Sequence, residues 1–163
     1  MKSRTLGSKL FANAKKIGGV RTVNGVDISA ETIDKTTWDN EDGYKSFDPG
    51  FIDGGEVTVS GLYDNASEGQ SSIMTAIEAG YVLPCHIDFP TKIGKSWVFA
   101  GAPTRFATGF DMNDAITFDA TFKVSGKPYI CATSEVETYI AQLIDVYTGE
   151  TSTTAQTGGN GNG

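Results

Sequence analysis

Apolar and polar residues alternate most strictly at 115–126, "AITFDATFKVSG". Ile116, Phe118, Ala120, Phe122 and Val124 fall on one side, and Thr117, Asp119, Thr121, Lys123 and Ser125 on the other. Successive side chains of an extended chain point to opposite faces, so this period of two predicts a half-buried strand. Gly126-Lys127-Pro128 is expected to end it. The same alternation in "EVTVSGLY" (56–63) predicts another strand, and shorter runs predict strands at 20–24, 26–34, 81–89 and 96–108. Asn24-Gly25 is a strong hairpin signal between the first two of these. Pro103 marks an edge or a bulge in the last.

The period turns helical twice. Ile73, Met74 and Ile77 share a helical face behind a Ser67…Gln70 capping box, and Gly80 supplies the stop. Val136, Tyr139, Ile140, Leu143, Ile144 and Tyr147 follow a Ser134…Glu137 box, which predicts a second helix over 135–147, although Val, Ile and Tyr also suit strands. Residues 1–19 read as an irregular arm, 20–150 as one domain, and the apolar-poor "TSTTAQTGGNGNG" (151–163) as a flexible tail. The fold class expected is mainly β: an antiparallel sandwich or barrel with one flanking helix, a C-terminal helix, a long inter-strand loop and terminal arms.

Composition narrows the functions. The 163 residues suit one domain able to bury a core without a metal or disulfide staple. A net charge of −7 argues against a nucleic-acid reader, which needs Lys and Arg along the phosphates. The basic N-terminus lacks the apolar run of a signal peptide and no stretch approaches membrane-span length, so residence in a cytosol is expected. Cys85 and Cys131 lack metal-binding or redox spacing and read as buried free thiols.

Candidate chemistry is thin. The loop at 37–54 is long for a compact domain, and six acids against Lys45 give residues 39–56 a charge of −5. As a calcium loop centred on Gly43 it puts Trp38 at the first ligand position and Pro49 at the twelfth, where acids belong. Asp42-Gly43, Asp48-Pro49-Gly50 and Asp53-Gly54-Gly55 are turn chemistry instead. Gly94-Lys95-Ser96 lacks the partner glycine of a phosphate loop, having Phe89 there. His86, the only histidine, neighbours Cys85 on an expected strand, so their side chains face opposite ways and cannot act as base and nucleophile. No catalytic, metal or cofactor site is expected.

The order of these pieces resembles the major tail tube proteins of long-tailed bacteriophages. The resemblance rests on Gly18-Gly19-Val20, on Ile33-Asp34-Lys35-Thr36-Thr37, and on a loop bearing Tyr44, Pro49-Gly50 and Asp53-Gly54-Gly55. Glu56-Val57-Thr58 then opens a strand, and Ala120 to Pro128 closes the match. Each motif is weak alone; their order over roughly 18–128 is more specific. The resemblance implies a non-enzymatic virion protein, made in the host cytoplasm and assembled into hexameric rings that stack as a hollow tube for DNA. It implies a tape-measure protein in the lumen, and tail terminator and distal tail or baseplate proteins at the ends, with no membrane. By analogy with the family's inter-ring loop, Trp38, Tyr44, Phe47, Pro49, Phe51 and Asp53 are expected at inter-subunit contacts. Lys9, Lys15 and Lys16, with Lys2 and Arg4, are expected to meet a neighbour's acids, and Glu56, Asp88 and Asp119 to line the lumen. Six chains at −7 would carry about −42, a charge that repels phosphate. The rival reading is a β-sandwich module binding host surface or carbohydrate, with Trp38, Tyr44 and Trp97 as a sugar platform.

Overall fold

A computed structural model describes residues 7–39, 41–112 and 114–148. The strands in chain order are β1 (Lys9–Ala12), β2 (Lys15–Lys16), β3 (Val20–Asn24), β4 (Ser29–Asp34), β5 (Phe47–Asp53), β6 (Glu56–Leu62), β7 (Leu83–Asp88), β8 (Lys95–Gly109) and β9 (Thr117–Ala132). The helices are α1 (Glu68–Ala79), between β6 and β7, and α2 (Val136–Thr148), after a short 3-10 turn at Thr133–Glu135. Seven strands form one antiparallel sheet in the order β2-β1-β7-β8-β9-β6-β3, and β4 pairs only with β5 in a second, two-stranded sheet.

Alternation along β6 and β9 builds the main core. Val57 and Val59 pair with Phe122 and Ala120, and all four are buried. The same cluster takes Leu10 and Ala12 from β1, Leu83, Cys85 and Ile87 from β7, Phe99 from β8, and Ile73 and Ala76 from α1. Strands at both ends of the sheet therefore meet one core, and the sheet curls around it as a half-barrel. Burying each of Phe99, Phe118 and Phe122 contributes about 1.5–3 kcal/mol. Val98 and Ala100 alternate with Trp97 and Phe99, so they face the other side, where they pack with Cys131, Val136 and Leu143. The two helices thus cover opposite faces of one sheet.

Four local expectations are corrected. Residues 9–12 and 15–16, read as irregular, form β1 and β2, because Leu10 and Ala12 have a core face to fill. Asn24-Gly25 does not join a hairpin: β3 pairs with β6, and β4 turns away to pair with β5. The second half of the expected loop is therefore strand. Gly126-Lys127-Pro128 does not end β9; Gly126 takes a left-handed φ of 71° and the three residues bulge out opposite Phe99, between the pairs Ser125↔Ala100 and Tyr129↔Val98. Ser67 heads α1 without capping it. Its Oγ accepts from Gly18 N–H (3.0 Å), while Gln70 accepts from Asp64 N–H (3.1 Å) and donates to Gly18 O (2.9 Å) and Leu62 O (3.2 Å). The expected box residues stitch the helix to the strands instead. Pro103 does mark a bulge, Gly80 does close α1 with a φ of 73°, and α2 is a helix. The tail at 151–163 lies outside the described residues.

Candidate functional site

The feature that the core does not explain is the β4–β5 ribbon. Ser29↔Asp53, Ala30↔Ile52, Thr32↔Pro49, Ile33↔Asp48 and Asp34↔Phe47 set its register, with a bulge in β5 where Gly50 and Phe51 stand opposite Glu31. Beyond the strands, Lys35 N–H donates to Ser46 O (2.8 Å), Ser46 N–H donates to Thr36 Oγ1 (3.2 Å), and Thr36 caps Asp34 through both its N–H and its hydroxyl. Lys35 also pairs with Asp48. These bonds carry the ribbon out to a tip at 37–45.

Its root is fixed by the Asp-Gly-Gly turn. Asp53 accepts from Gly55 N–H (2.9 Å) and from Lys123 Nζ at both oxygens (3.0 Å each). The Gly55 amide, then Lys123, hold the Asp53 carboxyl below the usual carboxylate range. Gly54 lies so close to Val124 that a Cβ would stand 2.5 Å from its Cγ1, and Gly55 has a φ of 71°. Glycine is required at both positions for the ribbon to leave the barrel here.

The ribbon's apolar residues stand largely in water: Trp38 is fully exposed, Phe51 is 88 % exposed, and Tyr44, Phe47, Ile33 and Ile52 are all more than half exposed. A large apolar group left in water is ordinary alone, but a cluster on one projection is a candidate contact surface. The structure brings Trp38, Tyr44, Phe47, Pro49 and Phe51 onto this projection and puts Asp53 at its root. Ile33 and Ile52 belong with them and escaped notice, since each reads as an ordinary core residue of a strand. A second exposed cluster, Phe110, Met112 and Ile116, sits at the β8–β9 turn.

The remaining candidates scatter. Lys9 lies opposite Asp88 in register, Lys15 is 3.6 Å from Glu68, and Lys16 is on the exposed edge strand. Glu56 and Asp119 share the sheet's polar face with Thr22, Thr58, Ser60 and Thr121, next to Arg105 and Lys123. Asp88, opposite Ser96, faces the same side by register but stands apart from them, toward the start of β8. It is half-buried and accepts from Ser96 Oγ (2.7 Å), which also meets Thr133 (3.1 Å). Trp97 packs against the main core, so it is not available for a flat sugar platform with Trp38.

His86 is buried, stacked on Phe11 at 4.4 Å, with Nε2 3.9 Å from Asp88 Oδ1 and Nδ1 without a hydrogen bond. Burial holds its pKa below the usual imidazole range, against the opposing pull of Asp88. Burial also pushes the Cys85 thiol up to about 12, far from a reactive thiolate. Among the described residues no group of His, Cys, Asp and Glu is placed to hold a metal, and no helix is long and apolar enough to cross a membrane.

The family model described as lambda phage tail tube protein matches residues 7–131. Curated protein sequences give no match. Among solved structures, the fold is similar to a chain in the virion of a native gene transfer agent particle (TM-score 0.69, 13% identity, covering 80% of this chain and 100% of that one). It is also similar to a chain in the tail of an empty gene transfer agent particle solved with C6 symmetry (0.65, 16%, 81% and 99%). The SPP1 tail tube is a third (0.60, 11%, 83% and 81%).

Proposed function

The chain belongs to the lambda phage tail tube protein family and is a structural protein of the virion tail, and we propose that it assembles by itself into stacked six-membered rings. In this reading the β4–β5 ribbon is the contact between rings, and the polar face carrying Glu56 and Asp119 lines the lumen through which DNA leaves. The chain has no enzymatic role in it. A tape-measure protein fills the lumen before ejection, and terminator and distal tail proteins cap the two ends. The C6 symmetry of a similar tail supports the ring size.

The observation that carries the proposal is the ribbon itself: a separate two-stranded sheet, with Trp38 and Phe51 almost wholly in water. Among the described residues nothing covers it. Lys9, Lys15 and Lys16 offer that molecule's acids a basic edge.

Electron microscopy of concentrated protein tests this. Wild type is expected to form rings and tubes, while Trp38→Ser with Phe51→Ser leaves a folded subunit that no longer stacks. Tubes of ordinary length from that double variant would overturn the ribbon's role. A wild-type protein that stays monomeric at every concentration would overturn assembly.

A further inference from the structure

A groove of about 240 Å³ opens where α2 crosses the start of β7. Buried Leu83, Ala100 and Leu143 line its depth, and the more exposed Tyr81 and Ile144 stand nearer its mouth with Asn13. We propose that this groove receives Trp38 of a second copy of this chain, in the neighbouring ring. The inference rests on the tail-tube reading and names the surface that its ribbon meets.

Three observations favour this occupant. The groove is lined almost wholly by carbon and has the size of one large aromatic side chain, and Trp38 is the most exposed aromatic of the described residues. Charge agrees as well: Trp38 is followed by Asp39, Glu41 and Asp42, whereas Asn13 at the groove leads directly into Lys15 and Lys16. Lys15 also lines the polar hollow that shares Asn13 and Tyr81 with the groove.

The third is backbone geometry. Asn13 and Ala14 both take left-handed φ angles, 52° and 61°, and Asn13 N–H is fastened to Pro84 O at 2.8 Å. Ala12 pairs with Lys15, so Asn13 and Ala14 form the two-residue loop of the β1–β2 hairpin, and a primed turn takes positive φ at both positions. Here the turn holds two lysines beside an apolar groove. The chain's own ends are poor competitors. Residues 149–163 contain Ala155 as their one aliphatic side chain, and residues 1–6 precede Gly7, which lies by Pro90 at the far end of β1.

Trp38→Cys combined with Ile144→Cys, assembled into tubes and treated with diamide, is expected to give a ladder of covalent multimers. Trp38→Cys with Met112→Cys, which places the second thiol at the β8–β9 turn, is expected to give none. Independently, in a Trp97→Phe chain the remaining tryptophan should shift its emission to the blue and lose at least threefold in acrylamide quenching on assembly. Reversing Lys15 and Lys16 to Glu should raise the assembly concentration about tenfold, and Asp39→Lys with Asp42→Lys should restore it. Tubes in which Trp38 stays as quenchable as in the subunit, or cross-links to the β8–β9 turn instead, overturn the groove while leaving the tail-tube reading standing. A chain that forms neither rings nor tubes overturns both.

Discussion

At the scale of single residues, the most consequential side chains are two buried polar ones. Gln70 is 2 % exposed and uses its amide to join Gly18, Leu62 and Asp64, three backbone groups from two segments that both precede α1. Gln70→Ala leaves those groups without a partner, and a chemical melt should show a loss of about 1–3 kcal/mol. Gln70→Glu is the sharper control, since a carboxylate cannot donate to the two carbonyls. His86 makes a pH prediction. Its folded pKa is depressed, so the unfolded chain takes up a proton first as pH falls. Its contribution to stability is complete above the unfolded value of about 6.5 and declines below it, down to the folded pKa. Denaturation midpoints should therefore fall as pH drops below about 6.5, and His86→Phe should flatten that part of the profile. A midpoint that rises over the same range would contradict the neutral, buried imidazole.

At the scale of elements, close approach decides more than propensity does. A Cβ on Gly61 of β6 would stand 2.2 Å from Gly19 O, and backbone cannot swing aside as a side chain can. Gly61→Ala should cost about 1–3 kcal/mol, and a melting temperature lower by about 2–12 °C would report it. This also explains what the sequence made legible. Long strictly periodic runs such as Phe118–Val124 declared their strand and its buried face, because burial on one face and exposure on the other constrain every second residue; Ile116, placed on that face by the same alternation, instead lies before β9 and is exposed. The second helix was legible for the same reason. Short or interrupted signals were not. Asn24-Gly25 is a local turn preference and carries no information about which strand β4 will pair with. Gly126-Lys127-Pro128 is a local breaker, absorbed as a bulge because Val98 and Cys131 still need each other beneath α2. Ser67 and Gln70 have capping chemistry, but their hydrogen bonds are claimed by residues far away in sequence. The exposed aromatics of the ribbon were named through the resemblance, since the sequence cannot say which Ile or Phe of a strand lacks a second layer.

At the scale of the whole molecule, charge and apolar surface are distributed unevenly. The acids concentrate on the ribbon, while Glu56 and Asp119 on the polar face are balanced by Arg105 and Lys123. Hydroxyls dominate that face, so a lumen built from it would be slippery rather than strongly repulsive. Hydrogen exchange should separate the molecule's two parts. Amides of β6 and β9 are expected to be protected in subunit and tube alike, and those of β4 and β5 only in the tube. Equal protection of the ribbon in the free subunit would show that it needs no neighbour. A two-stranded ribbon without a third layer is marginal in water. If the ribbon is the contact proposed above, a free subunit carries it loose, and ordering it takes away part of the gain from any encounter between two such subunits. An end that already presents a fixed docking surface escapes much of that loss. Below the concentration at which subunits assemble by themselves, they can then wait in solution, and growth begins where something has seeded it.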